Sequence, residues 1–138
     1  MIREAVRTIL LDDVAVAAAV GGSRIYPLQM PQGVREPSLV YQRAGGIFDT
    51  LMEGPQGLRE TRLQLDAWAV DSDAAAALMT LAETRLSGFS GLVTVGNDSP
   101  QAQCNVRGIF LDNEGDGYDA AAKLYRDRRD FRVLWCRA

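Results

Sequence analysis

Two periods of hydrophobic placement organise the chain. Over Arg59–Val70, Leu63, Leu65 and Ala67 fall on one side of a strict alternation and Arg62, Gln64 and Asp66 on the other. That is the pattern of a strand with one dry face. The period then changes: Ala75, Leu78, Leu81, Ala82 and Leu86 share one stripe at helical spacing, with Asp73, Thr80, Glu83 and Thr84 facing away. Asp71-Ser72-Asp73 supplies an N-cap and carboxylates at the positive end of the helix dipole, and Gly88 follows as a stop. A strand and a helix, each apolar on one side, bury those sides against one another.

The rest of the chain is read around that unit. Ile2, Val6, Ile9 and Leu10 form an apolar stripe opposite Arg3, Glu4, Arg7 and Thr8, which predicts an amphipathic first helix. Asp12-Asp13 can cap a second, short helix from Val14 to Val20, ended by Gly21-Gly22. Arg24–Pro27 reads as a short extended piece, Leu28–Pro37 as a loop kept extended by Pro31 and Pro37, and Ser38–Arg43 as a strand. Gly45–Gly57 is a long glycine-studded hairpin loop containing Ile47, Phe48, Leu51 and Met52. Apolar side chains there either fold back on the core or wait for a partner surface. Leu92–Val95 predicts a short strand, Gly96–Gln103 a polar turn, Val106–Leu111 a strand, Asp112–Ala122 an acidic loop, and Leu124–Trp135 a final strand. The sum is an α+β fold: a single domain over residues 1–138, with an antiparallel sheet of about four strands and helices packed on one face.

The final strand breaks its own pattern. Arg126, Asp127, Arg128, Arg129 and Asp130 put charge on both faces before Phe131, Val133 and Trp135 restore the alternation. Unpaired charge is too costly for mid-core, so this stretch is expected to project beyond the sheet, guard an edge or meet another subunit.

Composition narrows the function. A chain of 138 residues, 47% hydrophobic, can bury a sizeable core. No run is apolar enough to cross a membrane, and charges at Arg3, Glu4 and Arg7 interrupt any signal-peptide core, so the protein is expected where it is made. A net charge of −3 argues against a general nucleic-acid coat. Cys104 and Cys136 fit no zinc or redox spacing and read as ordinary reduced thiols. The absence of histidine removes the commonest general base and metal ligand.

Apparent motifs fail on chemistry. Asp112-Asn113-Glu114-Gly115-Asp116-Gly117 starts like a calcium loop, but Lys123 stands where a bidentate Glu is needed. Gly115–Ala120 matches a dinucleotide fingerprint on paper, yet Glu114, Asp116 and Asp119 would repel a pyrophosphate. Gly88-Phe89-Ser90-Gly91 lacks the glycine spacing of a nucleophile elbow, and its serine has no histidine. Asp12-Asp13 and Asp71/Asp73 sit at helix starts, where capping explains them. Arg126, Arg128, Arg129 and Arg132 are interleaved with Asp127 and Asp130, which cancel much of the field a phosphate would feel. No catalytic, cofactor or metal residues are expected.

Taken in order, several segments carry a resemblance. They are Gly21-Gly22 with Arg24-Ile25-Tyr26-Pro27, Pro31-Gln32-Gly33, Pro37–Gln42, and Gly54-Pro55 and Gly57 ahead of Arg62–Trp68. Gly108–Asp112 with Glu114 and Tyr118, then Leu124-Tyr125-Arg126 and Asp130–Val133, complete the set. The chain resembles the tail terminator (tail completion, head–tail joining) proteins of long-tailed phages and phage-derived particles; residues 92–104 match no feature of that family. The resemblance implies a non-catalytic α+β protein that forms a ring, usually a hexamer, on the finished end of the tail tube. Such a ring stops elongation and presents its other face to head-completion or stopper proteins, with DNA only as passing cargo. It implies residence in the host cytoplasm during assembly and then in the neck of the particle. On this reading Arg126, Asp127, Arg128, Arg129 and Asp130 are the expected side-to-side subunit interface, since alternating ions fix register. Ile47, Phe48, Leu51 and Met52 are the expected tail-tube contact, their apolar tips burying on assembly. The alternatives are another neck protein, copurifying with the portal, and a small ligand-binding regulatory α+β domain with an apolar pocket.

Overall fold

The structure, a computed structural model, describes residues 1–44, 50–51, 58–96 and 102–138. Three helices and seven strands follow one another along it. Helices α1 (Ile2–Leu11) and α2 (Val14–Ala19) precede strands β1 (Ile25–Pro27), β2 (Ser38–Arg43), β3 (Thr50–Leu51) and β4 (Arg59–Ala69). Then come α3 (Ser72–Leu86), β5 (Gly91–Val95), β6 (Ala102–Asp119) and β7 (Leu124–Arg137).

Local chemistry sets the helix ends. The Asp13 carboxylate accepts from the amides of Ala15 and Val16, and that of Asp71 accepts from Ala74 N, each filling orphan donors of a first turn. Beyond α3, Gly88 adopts a φ of +78°, the left-handed turn that glycine takes at least cost. The buried stripe of α3 is Ala75, Leu78, Met79, Ala82 and Leu86; Met79 is fully buried and Leu81 is 37% exposed, so Met79 fills the core position assigned to Leu81.

The strands make one sheet in the order β1-β2-β4-β7-β6-β5, with β3 paired to the start of β4. Seven strands replace the four or so expected. β1 runs parallel to β2, and every other pairing is antiparallel. Most of the increase is in short pieces, but β6 is a different matter. It continues through Asp112–Asp119, the stretch read as an acidic loop, and pairs with β7 as far as Asp119↔Leu124. Cross-strand ions hold those acids in the strand. Arg62 and Arg132 reach Asp112 at 3.2 and 3.7 Å, and Arg129 reaches Glu114 at 3.5 Å. An extended strand that sends Asp112 and Glu114 to opposite faces cannot form a calcium loop.

The core lies on one face. Thr61, Leu63, Leu65, Ala67 and Ala69 of β4, Phe131, Val133 and Trp135 of β7, and Cys104, Val106 and Ile109 of β6 are buried there, with α3 packed across β4 and β7. The buried Trp135 Nε1 donates to Thr61 Oγ1 at 2.9 Å, satisfying the indole. α1 touches β2 near one end of the strand order and β5 at the other, so the sheet curls around it. Register shifts in β6 between Val106 and Gly108 and between Leu111 and Asn113 supply part of that bend. Cys104 and Cys136 are free and buried; neighbouring register positions send them to opposite faces.

Candidate interaction face

The side of the sheet away from the helices is built from the other half of each alternation. In register across it lie Val40, Asp66 and Arg128; Gln42, Gln64 and Asp130; Ser38, Trp68 and Arg126; and Arg62 with Arg132. From β6, Phe110, Asn113, Gly115 and Gly117 complete these rows. The two glycines have a use here. A Cβ on Gly117 would come within 3.1 Å of the Arg126 guanidinium and one on Gly115 within 3.6 Å of that of Arg128, so bare backbone makes room for both arginines. Arg126 lies over the Trp68 ring at 5.8 Å and Arg132 over the Phe110 ring at 5.7 Å, cation–π contacts between neighbouring strands.

This places the five charged residues of the final strand, and corrects their expected position. β7 is flanked by β4 and β6 along the whole charged stretch, so it is an interior strand, neither an edge nor a projection. Its charges divide by face. Arg129 and Asp127 point to the helix side, where Arg129 Nε meets Glu83 Oε1 of α3 at 3.2 Å and its guanidinium also binds the Asp127 carboxylate. Burial works against the charge on Arg129, but the hydrogen bonds to Asp127 and Glu83 more than offset it and hold its pKa above the ordinary arginine value. These two residues are internal fastenings between sheet and helix. Arg126, Arg128 and Asp130 point to the open face. The exposed β6 acids, not the β7 charges, lie on a strand whose flank away from β7 is paired, among the described residues, only by β5 at Ala102–Val106.

Parts of the open face are buried without being satisfied. Among the described residues, four buried side-chain atoms have no hydrogen-bond partner: Asp66 Oδ1, Arg126 Nε, Arg128 Nε and Asp130 Oδ1. All four belong to this face. Arg128 Nε stands 3.9 Å from Asp130 Oδ1, an ion pair too long to be a hydrogen bond. Asp66, 6% exposed, uses only its Oδ2, which accepts from Gln64 Nε2 at 3.0 Å. Burial pushes the Asp66 carboxyl above its ordinary value of 3.8, while Gln64, Arg126 and Arg128 pull the other way. An acid whose pKa is raised by folding costs stability once ionised: the cost is absent below the ordinary value and grows as pH rises through the folded one. Asp66→Asn is therefore expected to melt at the same temperature as the wild type near about pH 3 and above it near about pH 7. Parallel melts across that range check the sign.

A groove crosses one end of the face. The segment from Leu28 to Arg35 passes over Val40, Trp68 and Leu124 and is fastened at its far end, where the Arg35 guanidinium donates to the carbonyls of Ala122 (3.0 Å) and Lys123 (3.2 Å). The half-open space beneath measures about 650 Å³, with Asp66 and Arg126 in its lining. The sequence places Asp66 and Trp68 on β4 but gives no signal for the groove, because strap and floor meet only through long-range contacts. Of the expected tube contact, Ile47, Phe48 and Met52 lie outside the described residues; Leu51 is in β3, paired with Arg59. No group of acidic or sulfur side chains able to hold a metal ion occurs among the described residues.

Among the described residues, the sheet of this α+β domain is packed by helices on one face and crossed on the other by the Leu28–Arg35 segment. The chain matches the family model described as tail completion protein gp17 over residues 4–135. It belongs to that family of phage tail structural proteins. No curated protein matches it. Among solved structures it is similar to a chain in the virion of a native gene transfer agent particle, at 16% identity and a TM-score of 0.66, over 97% of this chain and 92% of that one; this supports the fold. A second solved chain, at 14% identity and a TM-score of 0.47 over 96% of this chain and 92% of that one, is too distant to add to it.

Proposed function

We propose that copies of the chain close into a ring, six being the expected number, on the finished end of a phage-type tail tube. The ring stops tube growth and offers its other face to head-completion proteins. The observation that carries the reading is the open sheet face in a tail-completion protein, on which Arg126, Arg128 and Asp130 stand in register with β4 and are only partly buried. Partly exposed charges of both signs on one face offer a neighbouring subunit complementary partners. Arg126, Arg128 and Asp130 are thus the subunit-contact residues of the five, with Asp127 and Arg129 holding the strand that presents them. The Ile47–Met52 loop is the proposed second contact, with the tube.

Ring formation is tested on the assembled complex. Wild-type protein mixed with tail tubes is expected to cap them as a six-fold mass in mass photometry and electron microscopy. Arg126→Glu with Arg128→Glu is expected to leave a folded monomer that caps nothing. Intact rings in that double variant would refute the interface. Particles that lack the protein, yet carry tails of normal length joined to heads, would refute the capping role.

A further inference from the structure

We propose that the pocket ringed by Arg3, Arg43, Arg59 and Arg137 is an anion site that takes a phosphate group, free or carried on a larger molecule. The site lies at the far end of β7 from the Arg126–Asp130 cluster and stands apart from the capping reading above.

The alternation of the strands brings these arginines together. Tyr41, Thr61 and Trp135 are buried on the core side, and Arg43, Arg59 and Arg137 each stand two residues beyond one of them along β2, β4 and β7. The same period therefore carries all three to that side. Arg59 is the register partner of Trp135 and Arg43 of Leu63, which sets the ends of three neighbouring strands at one end of the sheet. Trp135 and the first turn of α1, which brings Arg3, complete the lining of a half-open space of about 200 Å³.

What marks this pocket is charge without counter-charge. Among the described residues no acidic side chain lines it, although the chain has 18 acidic residues against 15 basic ones. None of the four arginines forms an ion pair among the described residues, whereas Arg62, Arg128, Arg129 and Arg132 all do. Glu4, beside Arg3 in sequence, is taken by the Met1 amino group at 2.8 Å. Arg43 and Arg137 are exposed and Arg3 and Arg59 half-buried, so a ligand can reach all four. The Arg59 guanidinium lies over the Trp135 ring at 5.5 Å, a contact that orients it and leaves its N–H groups available. Gathered like charges repel, and an anion among them relieves the repulsion while accepting charge-assisted hydrogen bonds. The guanidinium forks arrive from α1, β2, β4 and β7. A tetrahedral phosphate has oxygens to meet forks from several directions; a planar carboxylate serves one or two. A volume of about 200 Å³ falls short of the roughly 300 Å³ at which sites for drug-sized ligands begin, and at about 30 Å³ per water it holds one phosphate with a few waters.

The test titrates inorganic phosphate into the whole chain at constant ionic strength, with chloride as the balancing anion, and follows it by phosphorus NMR and calorimetry. Phosphate is expected to bind saturably, and acetate at the same ionic strength is not. Arg43→Gln and Arg59→Gln are each expected to weaken phosphate about tenfold, the loss of one charge-assisted hydrogen bond. Two positions keep the site testable should one variant misfold. Arg132→Gln, on the other face of the sheet, is expected to bind as the wild type does. A short fluorescein-labelled DNA duplex, read by anisotropy, distinguishes the carrier. Duplex binding that phosphate reverses and Arg43→Gln weakens assigns the group to a nucleic-acid backbone; phosphate binding without duplex binding assigns it to a free ion or a small phosphorylated molecule; both uphold the site. Absence of saturable phosphate binding, acetate binding as tightly as phosphate, or unchanged affinity in both pocket variants would each overturn it. An equal loss in Arg132→Gln would overturn it too, since the response would then follow overall charge and not the pocket.

Discussion

Phe131→Ala is expected to cost about 4 kcal/mol, near the upper end for a buried aromatic truncated to alanine. Phe131 heads the fully buried side chains and sits on the middle strand of the sheet, register partner of Leu63 on β4 and of Leu111 on β6. Two strands and α3 are fixed around it, so the vacated space has little means of collapse, and the cavity adds to the lost transfer energy. Phe131→Leu, which keeps most of the volume, should lose no more than about 1.5 kcal/mol. Urea titration distinguishes the outcomes: the midpoint should drop sharply for alanine with an unchanged slope. A loss for Phe131→Ala below about 1 kcal/mol would mean that the core is not closed at this point.

Arg129→Ala is expected to be nearly as damaging, at about 3 kcal/mol. The arginine is 16% exposed and serves three carboxylates, on Glu83, Asp127 and Glu114. Removing it leaves the sheet-side Asp127 and the helix-side Glu83 facing each other with no cation between, and breaking a buried pair is far costlier than never having built it. Arg132 is the comparison. It also bridges two acids, Glu60 and Asp112, but is 42% exposed, and its loss should cost about 0.5 kcal/mol, less in high salt. Equal effects from the two substitutions would show that the Arg129 cluster does not fasten β7 to α3. For the same reason, charge reversal at Arg129 is a poor probe of ring contacts: it would unfold the subunit before it tested the rim.

What could be read in the chain beforehand follows a physical divide. Features written in nearest neighbours were legible: the alternation of β4, the bounds of β2, the carboxylate caps at Asp13 and Asp71, and the stripe of α3 apart from the exchange of Leu81 for Met79. Features that depend on distant partners were not. Asp112–Asp119 looked like a loop because acids and glycines disfavour strands; the arginines that hold it extended, Arg62, Arg129 and Arg132, come from other strands. The β7 charges looked impossible inside a sheet because the compensating Glu83 lies 46 residues away on a helix. The cost assigned to buried charge was sound; its remedy was not local. The same holds for the open face of the sheet. Asp66 and Trp68 read as the wet side of an ordinary strand, and only the strap and the neighbouring arginines bury Asp66 there.

The place of β7 also bears on how the domain is made. The strand at the centre of the sheet comes later in the chain than every strand it joins, so β4 and β6 emerge from a ribosome with one flank each still vacant. Until residues 124–137 arrive, the sheet has two halves and no seam, and its apolar side has no complete floor for α3. Folding is then a single late event dominated by contacts between distant residues, a slow route that leaves sticky intermediates to be managed. A cell making the chain would gain most from chaperone help at that moment.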